Sequence, residues 1–314
     1  MIRIGVIGVG SMGANHARIY HELEGEKKVK LVGIADVNEE RAKELAYRYD
    51  THAFKDYMKL LGQDLDAVSV AVPTTLHKKV TLEAIKRNRS VLVEKPLADT
   101  VENGQEMIKA ARRKGVKLQV GHIERFNPAV TELKKVMSSG KLGQVVSVST
   151  KRVGPYNPRI RDVGIIIDLG VHDIDVISYL LEKKVETVFA NAGKTIHSKE
   201  DHAVVILNYK GDLCGMIETN WLTPHKTRTL NVVGTGGIAY VDYIKQTLEI
   251  YEKDQVREML VERKEPLRIE LEEFIKSVEK DSSPLVSGED GLYALKVSVA
   301  ATKSAQRHRM VRVV

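Results

Sequence analysis

Asp168 and His172 stand four residues apart in the stretch Gly164 to Asp175, GIIIDLGVHDID. Beyond Leu169 the apolar residues Ile174, Ile177 and Leu181 recur at spacings of three and four, which predicts a helix entered at about Asp168. The carboxylate and the imidazole then share one face, a turn apart. An aspartate so placed can hold the ring's tautomer and raise its basicity, leaving the other ring nitrogen to face a group that loses or gains a proton. Aspartate is also a favoured N-cap, so capping by Asp168 with His172 packed in the core is the competing reading. A second candidate is Glu94-Lys95-Pro96, where a lysine beside a proline at a strand end could hydrogen-bond a reacting oxygen and stabilise alkoxide charge.

The elements that must position these groups begin at the N-terminus. A β-branched run over residues 2 to 7 leads into GVGSMG, with Gly8, Gly10 and Gly13 at G-x-G-x-x-G spacing around Ser11 and Met12. A helical segment follows, then a second strand, VKLVGIAD, ending at Asp36, 23 residues beyond Gly13. This context turns a weak pattern into a dinucleotide-binding one, with the helix N-terminus facing a pyrophosphate. Asp36 can accept from the adenosine ribose hydroxyls and its charge repels a 2′-phosphate, so NAD is favoured over NADP, with nearby Arg41 keeping dual use open. Strand and helix alternate to about residue 121, predicting a doubly wound parallel sheet over residues 1–121. Ligands in such sheets bind beyond the carboxyl ends of the strands, where Pro73, Thr74 and His77 of PTTLH and Glu94-Lys95-Pro96 fall. From 122 to 314 the pattern changes to strand-like runs at 145–152, 185–192, 202–209, 213–220, 228–234 and 238–243, which read as one meandering, mostly antiparallel sheet. Helices at 266–280 and 289–306 and a short final strand complete that second domain, and Thr235 to Gly237 reads as a turn because no helix follows it.

Within 314 residues, 43% are hydrophobic and 29% charged, an ordinary globular balance. The net charge of +7 is interspersed with 42 acidic residues rather than gathered in basic runs, which argues against nucleic acid and for a surface that draws an anionic small molecule. GPYNPRIRD, with Tyr156, Arg159 and Arg161, and the preceding Lys151 and Arg152 could clamp a diphosphate. No apolar stretch is long enough to span a membrane, and one cysteine, Cys214, suits a reducing compartment, so a cytoplasmic location is expected. A metal at Asp168 and His172 would lack an identifiable third ligand, so none is expected.

GVGSMG, Asp36, PTTLH, EKP, GHIERFNP and DLGVHDID occur in an order that resembles the glucose-fructose oxidoreductase and inositol dehydrogenase family, Gfo/Idh/MocA, over essentially the whole chain. The resemblance implies a Rossmann domain followed by an α+β domain whose open sheet makes an oligomer contact, giving a homodimer or homotetramer. It further implies that Lys95 contacts cofactor and substrate, that Asp168 and His172 are the catalytic pair, and that the Lys95-Pro96 bond is cis. The family often carries extra glycines before that aspartate, where this chain has Gly164, Ile165, Ile166 and Ile167. With IERFNP and Asn220 to Gly237, this is most similar to the sugar-nucleotide 3-dehydrogenases acting on UDP-N-acetylglucosamine. Inositol or free-sugar dehydrogenases, NAD-dependent glycoside hydrolases and a non-catalytic NAD sensor remain the alternatives.

Overall fold

Ile2–Ile7 (β1) is an apolar strand whose last four residues are buried. The computed structural model describes residues 1–156 and 163–314. After β1 come Ser11–Gly25 (α1), Val29–Ala35 (β2), Glu39–Arg48 (α2), His52–Phe54 (β3), Tyr57–Leu61 (α3), Ala67–Val70 (β4), Thr74–Lys86 (α4), Ser90–Glu94 (β5), Val101–Lys114 (α5) and Leu118–Gly121 (β6). The six strands pair in parallel in the order β3-β2-β1-β4-β5-β6. The order reverses between β1 and β4, which opens the crevice where doubly wound sheets take their ligands. Every residue of β4 and β5 is buried, as expected for parallel strands covered on both faces.

A 3₁₀ turn, Ile123–Phe126, leads to Pro128–Ser138 (α6), Val145–Pro155 (β7) and Val171–Leu181 (α7). Strands Val185–Gly193 (β8), His202–Tyr209 (β9), Cys214–Asn220 (β10), Leu222–Gly234 (β11), Gly237–Asp242 (β12), Thr247–Glu252 (β13) and Gln255–Met259 (β14) follow, then helices Pro266–Glu279 (α8) and Gly288–Arg307 (α9) and strand Val311–Arg312 (β15). The second sheet runs β14-β13-β12-β11-β7-β10-β9-β8-β15. It is antiparallel except where β7 pairs in parallel with β10. A plain meander would put β7 beside β8. The helical connection through α7 replaces a hairpin there, so β7 lies between β10 and β11. Gly234 pairs with Gly237 across the turn expected at Thr235 to Gly237.

Two units divide the chain: Met1–Ile123 with Leu267–Leu292, and Glu124–Pro266 with Tyr293–Val314. The chain first passes from one unit to the other after Ile123, and α8, which follows the second sheet in sequence, lies in the first unit. Leu267, Leu271, Phe274 and Ile275 of α8 are buried in one core with Ile4, Tyr20 and Leu31 of the first unit. An amphipathic helix declares that it has a face to bury, not which sheet will cover it.

Candidate active site

In the first unit, the β1–α1 turn is shaped by atoms that leave no room. Gly8 has φ of +84°, and a Cβ on it would lie 2.6 Å from the Ala71 carbonyl oxygen. A Cβ on Gly13 would lie 1.8 Å from the Gly8 carbonyl oxygen, whereas one on Gly10 would meet nothing within 4 Å. Two glycines thus allow tight packing and the third keeps an open approach. Gly10 is also the N-cap of α1 and offers no side-chain cap, so the first-turn amides, those of Ser11 and Met12 among them, suit an anion such as a pyrophosphate. The Asp36 carboxylate accepts from Val9 N at 2.7 Å and Asn38 N at 2.9 Å. It thereby pins the turn, and each oxygen keeps a lone pair for a ribose hydroxyl. These features fit NAD.

Further along the same sheet, Lys95 is part-buried and its bond to Pro96 is cis. Its N–H donates to Glu94 Oε2 at 3.2 Å, and Glu94 Oε1 lies 3.0 Å from His16 Nε2. Burial alone would push the Glu94 carboxyl up, but the His16 hydrogen bond and the charges of His16, Lys95 and His77 hold it below the usual range. His77 sits with Nδ1 2.9 Å from the Pro96 carbonyl oxygen and Nε2 3.0 Å from that of Val72. Burial pushes its pKa down despite those carbonyls and Glu94. Pro73 and Thr74 open α4 at the surface. A neutral His77 has one N–H and donates to one of the two carbonyls, Pro96 or Val72, while Glu94 accepts from the Lys95 N–H, so both side chains are engaged with the chain itself.

In the second unit the helix carrying the acid–base pair starts earlier than its periodicity suggests. Ile165 already has helical angles, φ −63° and ψ −31°, and Ile166–Gly170 forms a π-helical turn before α7. The Asp168 N–H donates to the Gly164 carbonyl at 3.0 Å. Asp168 is therefore inside the helix and is not its N-cap. Single π turns inside helices occur often at functional sites. Asp168 and His172 are part-exposed, while Asp173 and Asp175 beside them are each 1% exposed.

Those buried acids are neutralised individually. Arg152 of β7 donates from Nε and Nη2 to Asp173 at 2.9 and 3.2 Å and from Nη1 to Glu124 at 2.7 Å, with its guanidinium 5.1 Å from the Tyr243 ring centre. Arg125 holds Asp175 in a bidentate pair at 2.8 and 2.7 Å. Burial pushes the Asp173 carboxyl up against the pull of Arg152. Arg228, 3.6 Å from Glu124, has its pKa lowered by burial and by Arg152, opposed by Glu124, Asp173 and Asp168.

Several expectations change here. Arg152 does not reach out to a diphosphate: it is 2% exposed and spent on Asp173 and Glu124, because a buried guanidinium must be paired. Arg161 and Arg159 lie outside the described residues. Tyr156 is half-buried, its ring 5.7 Å from Trp221 and 5.4 Å from His197. Lys95 belongs to the first unit, Asp168 and His172 to the second. Sequence reasoning missed His16, Glu124, Arg125, Asp173 and Arg228. The signal available was the pairing of charges inside apolar stretches, HIERFNP against VHDID. Among the described residues no group of three or more His, Cys, Asp or Glu could hold a metal ion, and no helix is long and apolar enough to cross a membrane.

Comparison with known proteins matches residues 2–122 to an oxidoreductase family with an NAD-binding Rossmann fold and residues 130–240 to the GFO/IDH/MocA C-terminal domain. An inositol 2-dehydrogenase of Rubrobacter xylanophilus is 31% identical, covering 76% of this chain and 71% of its own. A UDP-N-acetylglucosamine 3-dehydrogenase of Acidithiobacillus ferrooxidans is 28% identical over 98% of this chain and 99% of its own. The solved structure of that enzyme superposes with a TM-score of 0.90 at 26% identity, covering 98% of both chains. A myo-inositol 2-dehydrogenase of Thermotoga maritima is 29% identical over 99% and 98%. With both domains matched in order and the glycine turn shaped for a dinucleotide, the chain belongs to the Gfo/Idh/MocA oxidoreductases, a family of NAD-dependent sugar and polyol dehydrogenases.

Proposed function

We propose that the chain oxidises one secondary alcohol of a nucleotide-linked sugar, C3 of UDP-N-acetylglucosamine, to the 3-keto sugar, using NAD in preference to NADP. One observation carries the acid–base part of this reading. In a single helical segment Asp173 and Asp175 are buried and matched to arginines, while Asp168 and His172 stay part-exposed, where a substrate can reach them. In the second unit His172 takes the hydroxyl proton and Asp168 orients the ring; in the first, Lys95 can donate to an oxygen on which negative charge grows. The carbon loses a hydride and the oxygen a proton, leaving a ketone. Bound NAD supplies the hydride acceptor. Gly8, Gly10, Ser11, Met12, Gly13 and Asp36 hold it, with Pro73, Thr74 and the Glu94–Lys95 turn at the strand ends.

A second reading is an inositol or free sugar as substrate. The burial of Arg152 favours it, because one of the expected phosphate ligands is removed. A panel of UDP-sugars, free sugars and inositols, each followed for NADH absorbance, separates the two. NADH forming with inositols alone overturns the nucleotide-sugar reading, and no NADH with any alcohol overturns the dehydrogenase. Run with NAD and NADP, the panel also tests the Asp36 argument: NAD should bind at least about tenfold tighter. We further infer a cytoplasmic homodimer or homotetramer joined through the outer sheet face, where Phe189, Val204, Met216, Tyr240 and Tyr251 are exposed. Sedimentation showing a monomer would refute that assembly.

A further inference from the structure

Asp201 immediately precedes β9 and is 0% exposed. Its Oδ2 accepts the N–H groups of Thr195, Ile196 and His197 at 2.6, 2.6 and 3.1 Å, and its Oδ1 lies 2.8 Å from His202 Nδ1. Burial alone would push this carboxyl up, but those amides and His202 hold it down at about 2, so it stays ionised. Residues 195–201 are thereby closed into a loop around one carboxylate. The backbone of that loop reaches the acid–base segment. The Asp201 N–H donates to the Gly193 carbonyl at 2.9 Å and shares a planar peptide group with the Glu200 carbonyl, which accepts from the Ile165 N–H at 2.9 Å. The Ile165 N–H in turn shares a peptide group with the Gly164 carbonyl, the acceptor of the Asp168 N–H at 3.0 Å. Rigid peptide planes and hydrogen bonds thus connect the end of β8 to Asp168, all inside one unit. The Asp201 carbonyl also takes the Trp221 N–H at 2.9 Å, which anchors the loop to the junction of β10 and β11.

We propose that Asp201 is a positioning residue for the Asp168–His172 segment: by collecting the loop amides it holds the Glu200 carbonyl on Ile165, and with it the turn from which Asp168 projects. The inference rests on the proposed acid–base role of Asp168 and His172 and extends it. Apolar packing also holds this turn, since Ile165 and Ile166 are 0% exposed. Packing is non-directional, however, whereas the peptide plane between Gly164 and Ile165 sets the direction in which the Asp168 N–H must point.

The test compares Asp201→Ala, which leaves the loop amides without their acceptor, with Asp201→Asn, whose amide oxygen can accept them while its NH₂ donates to His202 Nδ1. Should Asp201→Ala not fold, Asp201→Ser, with a shorter and weaker acceptor, is read in its place. The first readout needs no substrate. Hydrogen exchange at the Ile165 and Asp168 amides should quicken about tenfold or more in Asp201→Ala, with the β9 and β10 amides protected as before, and Asp201→Asn should recover most of the difference. The second readout is kinetic. With the best alcohol of the panel, kcat should fall about tenfold or more in Asp201→Ala at a nearly unchanged KM, and recover in Asp201→Asn, because a misplaced base costs rate rather than binding. Unchanged exchange at Ile165 and Asp168 overturns the proposal. So does an Asp201→Ala protein that melts lower yet keeps the wild-type kcat per folded molecule, or an Asp201→Asn protein no better than Asp201→Ala. Wild-type protein that yields no NADH with any alcohol refutes the dehydrogenase reading instead, and the exchange of Ile165 and Asp168 still decides whether Asp201 holds the segment.

Discussion

Asp168 differs from Asp173 and Asp175 in environment rather than in type. Asp173 and Asp175 are buried on Arg152 and Arg125, while Asp168 and His172 are part-exposed. If His172 is the base, His172→Asn should lower kcat by about a hundredfold or more, with thermal stability and NAD binding nearly unchanged. A rate proportional to the folded fraction would instead make His172 a packing residue. Arg152 makes the converse case. Arg152→Met strands Asp173 and leaves Glu124 only the longer contact to Arg228, so it should destabilise the fold by about 3 to 5 kcal/mol, read by denaturant titration. A variant of full stability with a raised KM would restore the discarded phosphate-clamp reading. That Asp168 and His172 share one helical segment was legible from their spacing. Arg152 was misread because a sequence shows a charge but not whether a second charge, 21 positions on, faces it inside the core.

At the scale of elements, the glycine turn shows which positions are set by the fold and which by the ligand. A methyl on Gly13 meets backbone that cannot yield, the Gly8 carbonyl, whereas a methyl on Gly10 meets nothing. Gly13→Ala should therefore lower the melting temperature, while Gly10→Ala should melt like wild type yet bind NAD about tenfold or more weakly, because its methyl occupies the pyrophosphate approach. Equal NAD affinity in Gly10→Ala, measured by titration, would show that the cofactor does not pass there. The β-α alternation was readable because buried parallel strands give continuous apolar runs bounded by turns. The π turn was not, since the residues Ile165 to Gly170 suit an α-helical turn equally well. The insertion of β7 between β10 and β11 was equally hidden: alternation reveals that a strand has two faces, not which neighbours it will pair with.

At the scale of the molecule, the chain's return to its first unit has a consequence for how the cofactor and the C-terminal third are linked. Phe274 of α8 is 0% exposed in a core shared with Ile4, Tyr20 and Leu31, although more than 240 positions of sequence separate it from each of them. Phe274→Ala should cost about 3 to 5 kcal/mol through the cavity it leaves. That cost should fall on the unit that binds NAD, so a ligand of that unit should offset it. At a hundred times its Kd, NAD should recover roughly 2.7 kcal/mol. Hydrogen exchange can locate the effect by element. In Phe274→Ala, protection should drop in Ile2–Ile7 and Val29–Ala35, and NAD should restore much of it there. Protection lost instead from the β9 and β10 strands, with no response to NAD, would return α8 to the second domain, as its place in the sequence suggests.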